Sequence, residues 1–108
     1  ISNDNWYQEL KPFYSLAQRM LGTAKNTFTN IADDTLKDVA KDLGTEDSFT
    51  TVDTGVYLPQ EDGEQGKVTS DPYFNGDGPD RETCRYCARC SIGCRHNAKN
   101  TLMKKVTV

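Results

Sequence analysis

The chain places all four of its cysteines in one stretch of eleven residues, CRYCARCSIGC at 84–94. Relaxed disulfides are not expected within it, because cysteines separated by two residues scarcely reach the Cα separation that a bridge prefers. Disulfide scaffolds also spread their cysteines, since longer closed loops constrain the unfolded chain more. The run therefore favours thiols that act together locally, as metal ligands or as parts of a tight turn.

Iron–sulfur and zinc are the two metal alternatives for these cysteines, and the spacing matches the first. The pattern C-x2-C-x2-C-x3-C matches the iron–sulfur run of bacterial ferredoxins, although Arg95 stands where that run has proline and no second set of cysteines exists. Zinc usually takes two knuckles separated by a longer linker, and His96 is a weak candidate for one of its ligands. Reduced thiols that pack a turn without a cofactor are the remaining alternative. The candidate metal ligands are Cys84, Cys87, Cys90 and Cys94.

Charge is segregated along the chain, although the net charge is only −3. Residues 31–80 carry 13 acidic and three basic residues, whereas residues 81–108 carry seven basic residues and Glu82 as their single acid. The cysteines therefore lie in a basic tail, where positive charge favours thiolate over thiol and attracts anions. Nucleic acid is not an expected partner, because the acidic middle would repel phosphates and no aromatic stacking pattern accompanies the bases.

The composition predicts a thin core. Apolar residues make up 35% of the 108 residues and the mean hydropathy is −0.74. The sequence begins without methionine and contains no apolar run long enough for a signal peptide or a membrane span. We therefore expect a processed chain or a piece of a longer protein, located in the cytoplasm and without a membrane span.

A first helix is predicted near the N-terminus. Its apolar side chains recur at spacings of three and four residues, with Asn3 or Asn5 as the N-cap and Gly22 as the stop. Pro12 lies inside the pattern and predicts a kink or two short helices, because proline cannot donate to the i−4 carbonyl. The apolar face consists of Trp6, Leu10, Phe13, Ala17, Met20 and Leu21.

A second helix is predicted with Asp33 as its cap and Gly44 just beyond its end. The two helices form the helical part of the chain, residues 1–47. The apolar face of the second helix consists of Leu36, Val39, Ala40 and Leu43.

The rest of the chain is predicted to be mostly irregular. Residues 48–83 contain a short β-prone stretch, SFTTVDTGVYL, and a long loop rich in Gly, Asp and Pro that Tyr73 and Phe74 anchor. A cysteine-rich turn and a tail that opens a strand or short helix follow at 84–108. We expect a single domain over 1–108 of the α+β class, a small loop-rich domain with two N-terminal helices, a short strand region and an irregular cysteine-rich segment.

Three blocks of the sequence resemble a known family. They run from Trp6 to Gly22, from Asp71 to Arg81 and from Cys84 to Leu102. The last block is the most specific, because it joins the cysteine run to an Ala-Lys-Asn-Thr-Leu segment at 98–102. Together the blocks resemble the glucose–methanol–choline (GMC) oxidoreductases, and within them the bacterial cholesterol-oxidase-like branch.

The resemblance implies an FAD-dependent oxidoreductase that takes a hydride from an alcohol carbon, converting CH–OH to C=O. In such enzymes the comparable stretch is internal and belongs to the cap or substrate side, with its last block running toward the flavin. The resemblance makes Lys99, Asn100 and Thr101 the candidate FAD-binding residues. The implied partners are the remainder of the parent enzyme and a small-molecule alcohol, sterol-like by the branch resembled.

Other features limit what this chain does alone. It contains no G-x-G-x-x-G phosphate loop, and the catalytic histidine of the family has no counterpart in it, so no catalytic residue is assigned. We therefore expect the isolated chain to be inactive, although its parent is expected to be an alcohol oxidase or dehydrogenase. Some relatives with a comparable cysteine run carry an iron–sulfur cluster. The alternative function is a small four-cysteine module that binds an iron–sulfur cluster or zinc for electron transfer or interaction.

Overall fold

The computed structural model describes residues 5–105. They form two compact units, one made of the residues up to 24 together with those from 55 onward, the other of residues 25–54. The predicted cap Asn3 and the last three residues of the predicted tail lie outside the described residues. No helix in the described part of the chain is long and apolar enough to cross a membrane.

The first unit begins with helix α1, Trp6–Leu21. Asn5 occupies the N-cap position, and Gly22 ends the helix in the left-handed conformation at φ 59°, with its N–H donating to the Arg19 carbonyl at 3.1 Å. The helix passes through Pro12 without a break. The continuous helix excludes the two short helices, because proline removes a single N–H···O bond and the remaining bonds of a 16-residue helix sustain it. The alternative, a kink at Pro12, stays a prediction.

The second unit is built around helix α2, Ile31–Asp42. Its N-cap is Asn30, whose side chain accepts from the Ala32 N–H at 2.8 Å, while Asp33 accepts from the Asn30 N–H at 2.9 Å. The prediction of Asp33 as the cap was therefore wrong by one turn, since Asp33 fills the third helical position of a capping box. A 3₁₀ turn, Glu46–Ser48, packs against this helix.

The strands are short. Strands β1 (Ala24–Lys25) and β2 (Asp53–Thr54) pair with each other, so only two residues of the predicted β-prone stretch form a regular strand. Strands β3 (Val68–Thr69) and β4 (Arg81–Glu82) form an antiparallel pair in the first unit, with Thr69 opposite Arg81. The predicted long loop thus contains a strand, because its backbone finds a partner further along the chain. Helix α3, Leu102–Lys105, follows the cysteine run.

Buried residues are few and mixed in character. Leu58, Pro59 and Ala98 are buried, but so are the polar residues Asp71, Arg81 and Thr83. Neither α1 nor α2 contains a buried residue. The prediction of a loop-rich α+β fold with two N-terminal helices, short strands and an irregular cysteine-rich segment is confirmed. The assignment of 1–108 to one cap-side domain stays a prediction.

Candidate functional site

A buried arginine organises the first unit. Only 1% of Arg81 is exposed to solvent. Its Nε donates to the Asn97 carbonyl at 2.8 Å, and Nη2 donates to the Ala98 carbonyl at 3.0 Å. The guanidinium also lies over the ring of Tyr73, 5.3 Å from its centroid. Burial lowers the pKa of Arg81, but a guanidinium stays protonated in proteins. These contacts therefore compensate a positive charge that is removed from water.

The side chain of Asn100 links this arginine to the end of helix α1. Its Oδ1 accepts from Arg81 Nη2 at 2.6 Å. Its Nδ2 donates to the carbonyls of Leu21 and Gly22 at 3.0 and 2.8 Å, and lies 3.3 Å from the Tyr73 hydroxyl. An amide offers two donor hydrogens and one carbonyl acceptor. The side chain of Asn100 is thus fully engaged inside this unit.

The turn before β4 is organised by the buried carboxylate of Asp71. Its oxygens accept from the backbone N–H groups of Tyr73, Phe74 and Gly78 at 3.0, 2.6 and 3.2 Å. Burial by itself raises the pKa of Asp71, but these backbone hydrogen bonds outweigh burial and hold the pKa below its ordinary value of 3.8. The carboxylate is therefore ionised and structural, and it places the Tyr73 ring against Arg81.

The segment that follows β2 connects the cysteine run to the Lys-Asn-Thr segment. The Tyr57 N–H donates to the Ala98 carbonyl at 2.8 Å, and the Tyr57 carbonyl accepts from the Cys84 N–H at 2.8 Å. Val56 forms an antiparallel bridge with Lys99. The ring of Tyr57 packs edge-on against Tyr73, with 6.0 Å between centroids. One short stretch of extended backbone therefore fixes the start and the end of the cysteine-rich segment.

The four cysteines form no disulfide bond within residues 5–105, and they differ in exposure. Cys87 and Cys90 are exposed, whereas Cys84 and Cys94 are half-buried. Burial raises the pKa of the Cys84 thiol, even though its sulfur accepts from the Tyr86 N–H at 3.3 Å. Burial therefore disfavours the thiolate form of Cys84.

The described residues give no support to an iron–sulfur cluster or zinc at the cysteines. A cleft of about 20 Å³ is lined by all four of them, which is room for roughly one water molecule. Among residues 5–105 no group of three or more His, Cys, Asp or Glu side chains is placed to hold a metal ion. The prediction that these cysteines are metal ligands gains no support here.

An open cavity beside the cysteines is distinctly basic. Its volume is about 310 Å³, and its lining consists of Cys87, Arg89, Gly93, Arg95 and His96. The nearby carboxylate of Glu82 is paired with Arg85 Nε and lies 3.5 Å from His96 Nδ1. The carboxylate of Glu82 is thus paired with Arg85 and not with Arg89 or Arg95, the two arginines that line the cavity.

The three candidate FAD-binding residues differ in what they can offer a cofactor. Thr101 is exposed, so its hydroxyl is accessible. Lys99 Nζ donates to the Cys90 carbonyl at 2.9 Å, which holds its charge next to the cysteine run. Asn100 has its amide committed to Arg81 and to helix α1. Lys99 and Thr101 therefore fit a polar cofactor atom, whereas the side chain of Asn100 fits a structural role.

The sequence analysis did not identify Arg81 and Asp71 as organising residues. Arg81 ends the second block of the family resemblance and is one of the seven basic residues of the tail, but nothing local marks it as buried. For Asp71 a signal existed, because an Asp followed by Pro72 and by nearby glycines favours a turn in which the carboxylate accepts backbone N–H groups.

Comparison with known proteins identifies similar sequences. A cholesterol oxidase of Acinetobacter baumannii is 44% identical over 100 residues, and cholesterol oxidases of Mycobacterium tuberculosis strains CDC 1551 and H37Rv are 47% identical over 102 residues. Each alignment covers 93% of this chain. No family model and no solved structure matches it. The chain is thus cholesterol-oxidase-like over nearly all of its length, and it spans 18% of the length of these relatives.

Proposed function

We propose that this chain is part of an FAD-dependent oxidoreductase of the GMC family that oxidises the hydroxyl of a sterol to a ketone. The observation that carries the proposal is the identity of 44–47% to cholesterol oxidases over 93% of the chain. In that reaction FAD accepts the hydride that leaves the alcohol carbon. This chain supplies a framework on the substrate and flavin side, and the catalytic groups lie elsewhere in the enzyme.

The uncovered face of helix α1 supports a role within a larger protein. Trp6 is 57% exposed and Phe13 is 66% exposed, and both lie on the face that the sequence predicts to be apolar. Large aromatic side chains contribute most when they are buried. Further protein packed against this face would remove these rings from water. A chain as long as the cholesterol oxidases would provide that protein.

The internal contacts support a positioning role for residues 97–101. Arg81 holds the carbonyls of Asn97 and Ala98, and the Asn100 amide ties the next residue to the end of α1. Lys99 and Thr101 flank Asn100, so the same contacts set where their side chains lie. In the proposed enzyme these two side chains would contact FAD, the ammonium as a cation and the hydroxyl as a hydrogen-bond donor.

The test uses the complete enzyme that contains this chain. After purification, its flavin content is measured from the absorbance spectrum, and cholesterol is added without oxygen. We expect bound flavin to lose its oxidised absorbance band when cholesterol is present, and not when the 3-keto sterol product is added instead. An enzyme without flavin, or one whose flavin no hydroxysterol reduces, would contradict the proposal.

Two neighbouring substitutions separate flavin contact from framework. Thr101→Val removes an exposed hydroxyl and should weaken FAD binding without changing the unfolding midpoint of the apoprotein. Asn100→Ala removes internal hydrogen bonds and should lower the unfolding midpoint. If wild type and Thr101→Val bind FAD with equal affinity, Thr101 does not contact the flavin. The absorbance experiment tests the sterol oxidation separately.

A further inference from the structure

The cavity beside the cysteine run is lined by two arginines and a histidine. We propose that it binds a phosphate-type oxyanion, either inorganic phosphate or the phosphate group of a larger molecule. The cavity is defined by Cys87, Arg89, Gly93, Arg95 and His96. This inference rests on the cavity and its charges, and it does not depend on the proposed oxidation of a sterol.

Uncompensated positive charge is the first argument. Arg89 and Arg95 take part in no ion pair within residues 5–105. Glu82 is the single acid of residues 81–108, and its carboxylate is paired with Arg85. Arg89 and Arg95 both line the cavity, so two like charges are present at it, and like charges repel each other when no anion lies between them. An anion in the cavity would relieve that repulsion.

The chemistry of the lining is the second argument. Guanidinium groups present planar pairs of N–H donors that match two oxygens of a phosphate. His96 adds a ring nitrogen, and its Nδ1 lies 3.5 Å from Glu82, which orients the imidazole. The two guanidinium groups together offer several N–H donors. This arrangement disfavours a metal cation, because cationic side chains repel it, and favours an anion with several oxygens.

The size of the cavity is the third argument. A volume of about 310 Å³ lies at the lower end of the range for small-molecule sites, roughly 300–1,000 Å³. Gly93 contributes to this space because it has no side chain and adopts φ 112°, a conformation that favours glycine. A phosphate fits with water around it, and the open side leaves room for the rest of a phosphate monoester.

The framework around the cavity holds the two arginines in place. The Arg89 carbonyl accepts from the Ile92 N–H at 3.1 Å and closes the turn between the two arginines. On the other side, Asn97 adopts the left-handed conformation at φ 57° and its side-chain amide donates to the Asp80 carbonyl. The buried Arg81 then holds the Asn97 carbonyl at 2.8 Å. The backbone that carries Arg95 and His96 is therefore fixed before any ligand arrives.

The experiment is a titration of the 108-residue chain with inorganic phosphate and, separately, with glycerol phosphate, at constant ionic strength. Binding is followed by the Nε–H signals of the arginines in NMR spectra and by calorimetry. Arg89→Gln and Arg95→Gln are compared with Arg19→Gln, which removes the same charge from the exposed surface of helix α1. The two ligands distinguish free phosphate from the phosphate of a larger molecule.

We expect each cavity variant to weaken phosphate binding about tenfold, because each loses charge-assisted hydrogen bonds to the ligand. Arg19→Gln should leave the affinity within about twofold, because screening makes distant surface charges weak. Tighter binding of glycerol phosphate than of inorganic phosphate would assign the cavity to a phosphate monoester, and the reverse order would assign it to free phosphate.

Three results would overturn the proposal. The first is the absence of binding by the wild-type chain. The second is an equal loss of affinity in Arg19→Gln and the two cavity variants, which would show a general charge effect. The third is stoichiometric iron and acid-labile sulfide in the purified chain, which would show that the arginines surround a cluster. If both cavity variants are poorly folded, Arg89→Lys tests the same point, since it keeps the charge and loses the two-oxygen contact.

Discussion

The guanidinium of Arg81 and the side-chain amide of Asn100 meet at 2.6 Å, although the two residues are 19 positions apart. The amide of Asn100 continues to the carbonyls of Leu21 and Gly22, which lie at the end of helix α1. One hydrogen-bonded path therefore joins the strand that precedes the cysteines, the segment that follows them and the first helix. In a unit with few buried apolar side chains, this polar path takes the place of a hydrophobic core.

Replacing the buried arginine tests that path. We expect Arg81→Gln to lower the free energy of unfolding by about 3 kcal/mol or more, because three acceptors lose a charged donor. Arg85→Gln is the matched control, since Arg85 is half-exposed in an ion pair with Glu82. Exposed pairs contribute about 0–1 kcal/mol. Urea denaturation measures both free energies of unfolding, provided that the dependence of the free energy on urea concentration is the same in each variant. Equal losses in the two variants would contradict the role given to Arg81.

The loss of folding stability at acid pH should depend on Asp71. Its pKa is lowered in the folded chain, so its contribution is complete above the ordinary value of 3.8 and is lost as the pH falls toward the folded pKa. Asp71→Asn should therefore be less stable than wild type at neutral pH, and the difference should shrink below about pH 4. Urea midpoints across this range measure it. The control is Asp77→Asn, because Asp77 is an exposed carboxylate in the same turn. If the difference in stability between wild type and Asp71→Asn stays constant with pH, Asp71 is not the source of the pH dependence.

The close approach of Gly78 to Asp71 gives a steric prediction. A Cβ on Gly78 would lie 2.7 Å from Asp71 Cγ, and the carboxylate is held by backbone N–H groups and cannot swing away. We expect Gly78→Ala to cost about 1–3 kcal/mol of unfolding free energy. Gly55→Ala provides the comparison, because its Cβ would meet Asn100 Cβ at an ordinary 3.9 Å. A thermal unfolding midpoint for Gly78→Ala as high as that of Gly55→Ala would show that the turn yields.

The thiols should differ in reactivity. Cys87 and Cys90 are exposed, whereas burial raises the pKa of Cys84 and lowers its thiolate fraction. Alkylation by iodoacetamide, followed by peptide mass spectrometry, should therefore modify Cys84 at least about tenfold more slowly than Cys87. In denaturant the rates should converge. Uniform protection of all four thiols in the folded chain would instead indicate a bound metal.

Local patterns in the sequence predicted the regular elements well. The apolar face of helix α1 was predicted from residues such as Trp6 and Phe13, and its end from Gly22. This works because side chains three and four residues apart lie on the same face of a helix. Two short helices do not form at Pro12, because a helix of this length tolerates one missing hydrogen bond. The error at Asp33 arose because Asn and Asp are equally good caps, and only the backbone conformation distinguishes Asn30 from a residue in the first turn.

The sequence by itself determined the helices, the loop-rich α+β class, the clustering of the cysteines and the basic tail around them. The tertiary structure decided which polar groups are buried. Arg81 is one basic residue among seven in the tail, and its burial depends on carbonyls 16 and 17 residues away. The tertiary structure also decided that Asn100 faces helix α1 and that Arg89 and Arg95 share a cavity. Burial and charge pairing depend on residues distant along the chain, whereas secondary structure depends mainly on near neighbours.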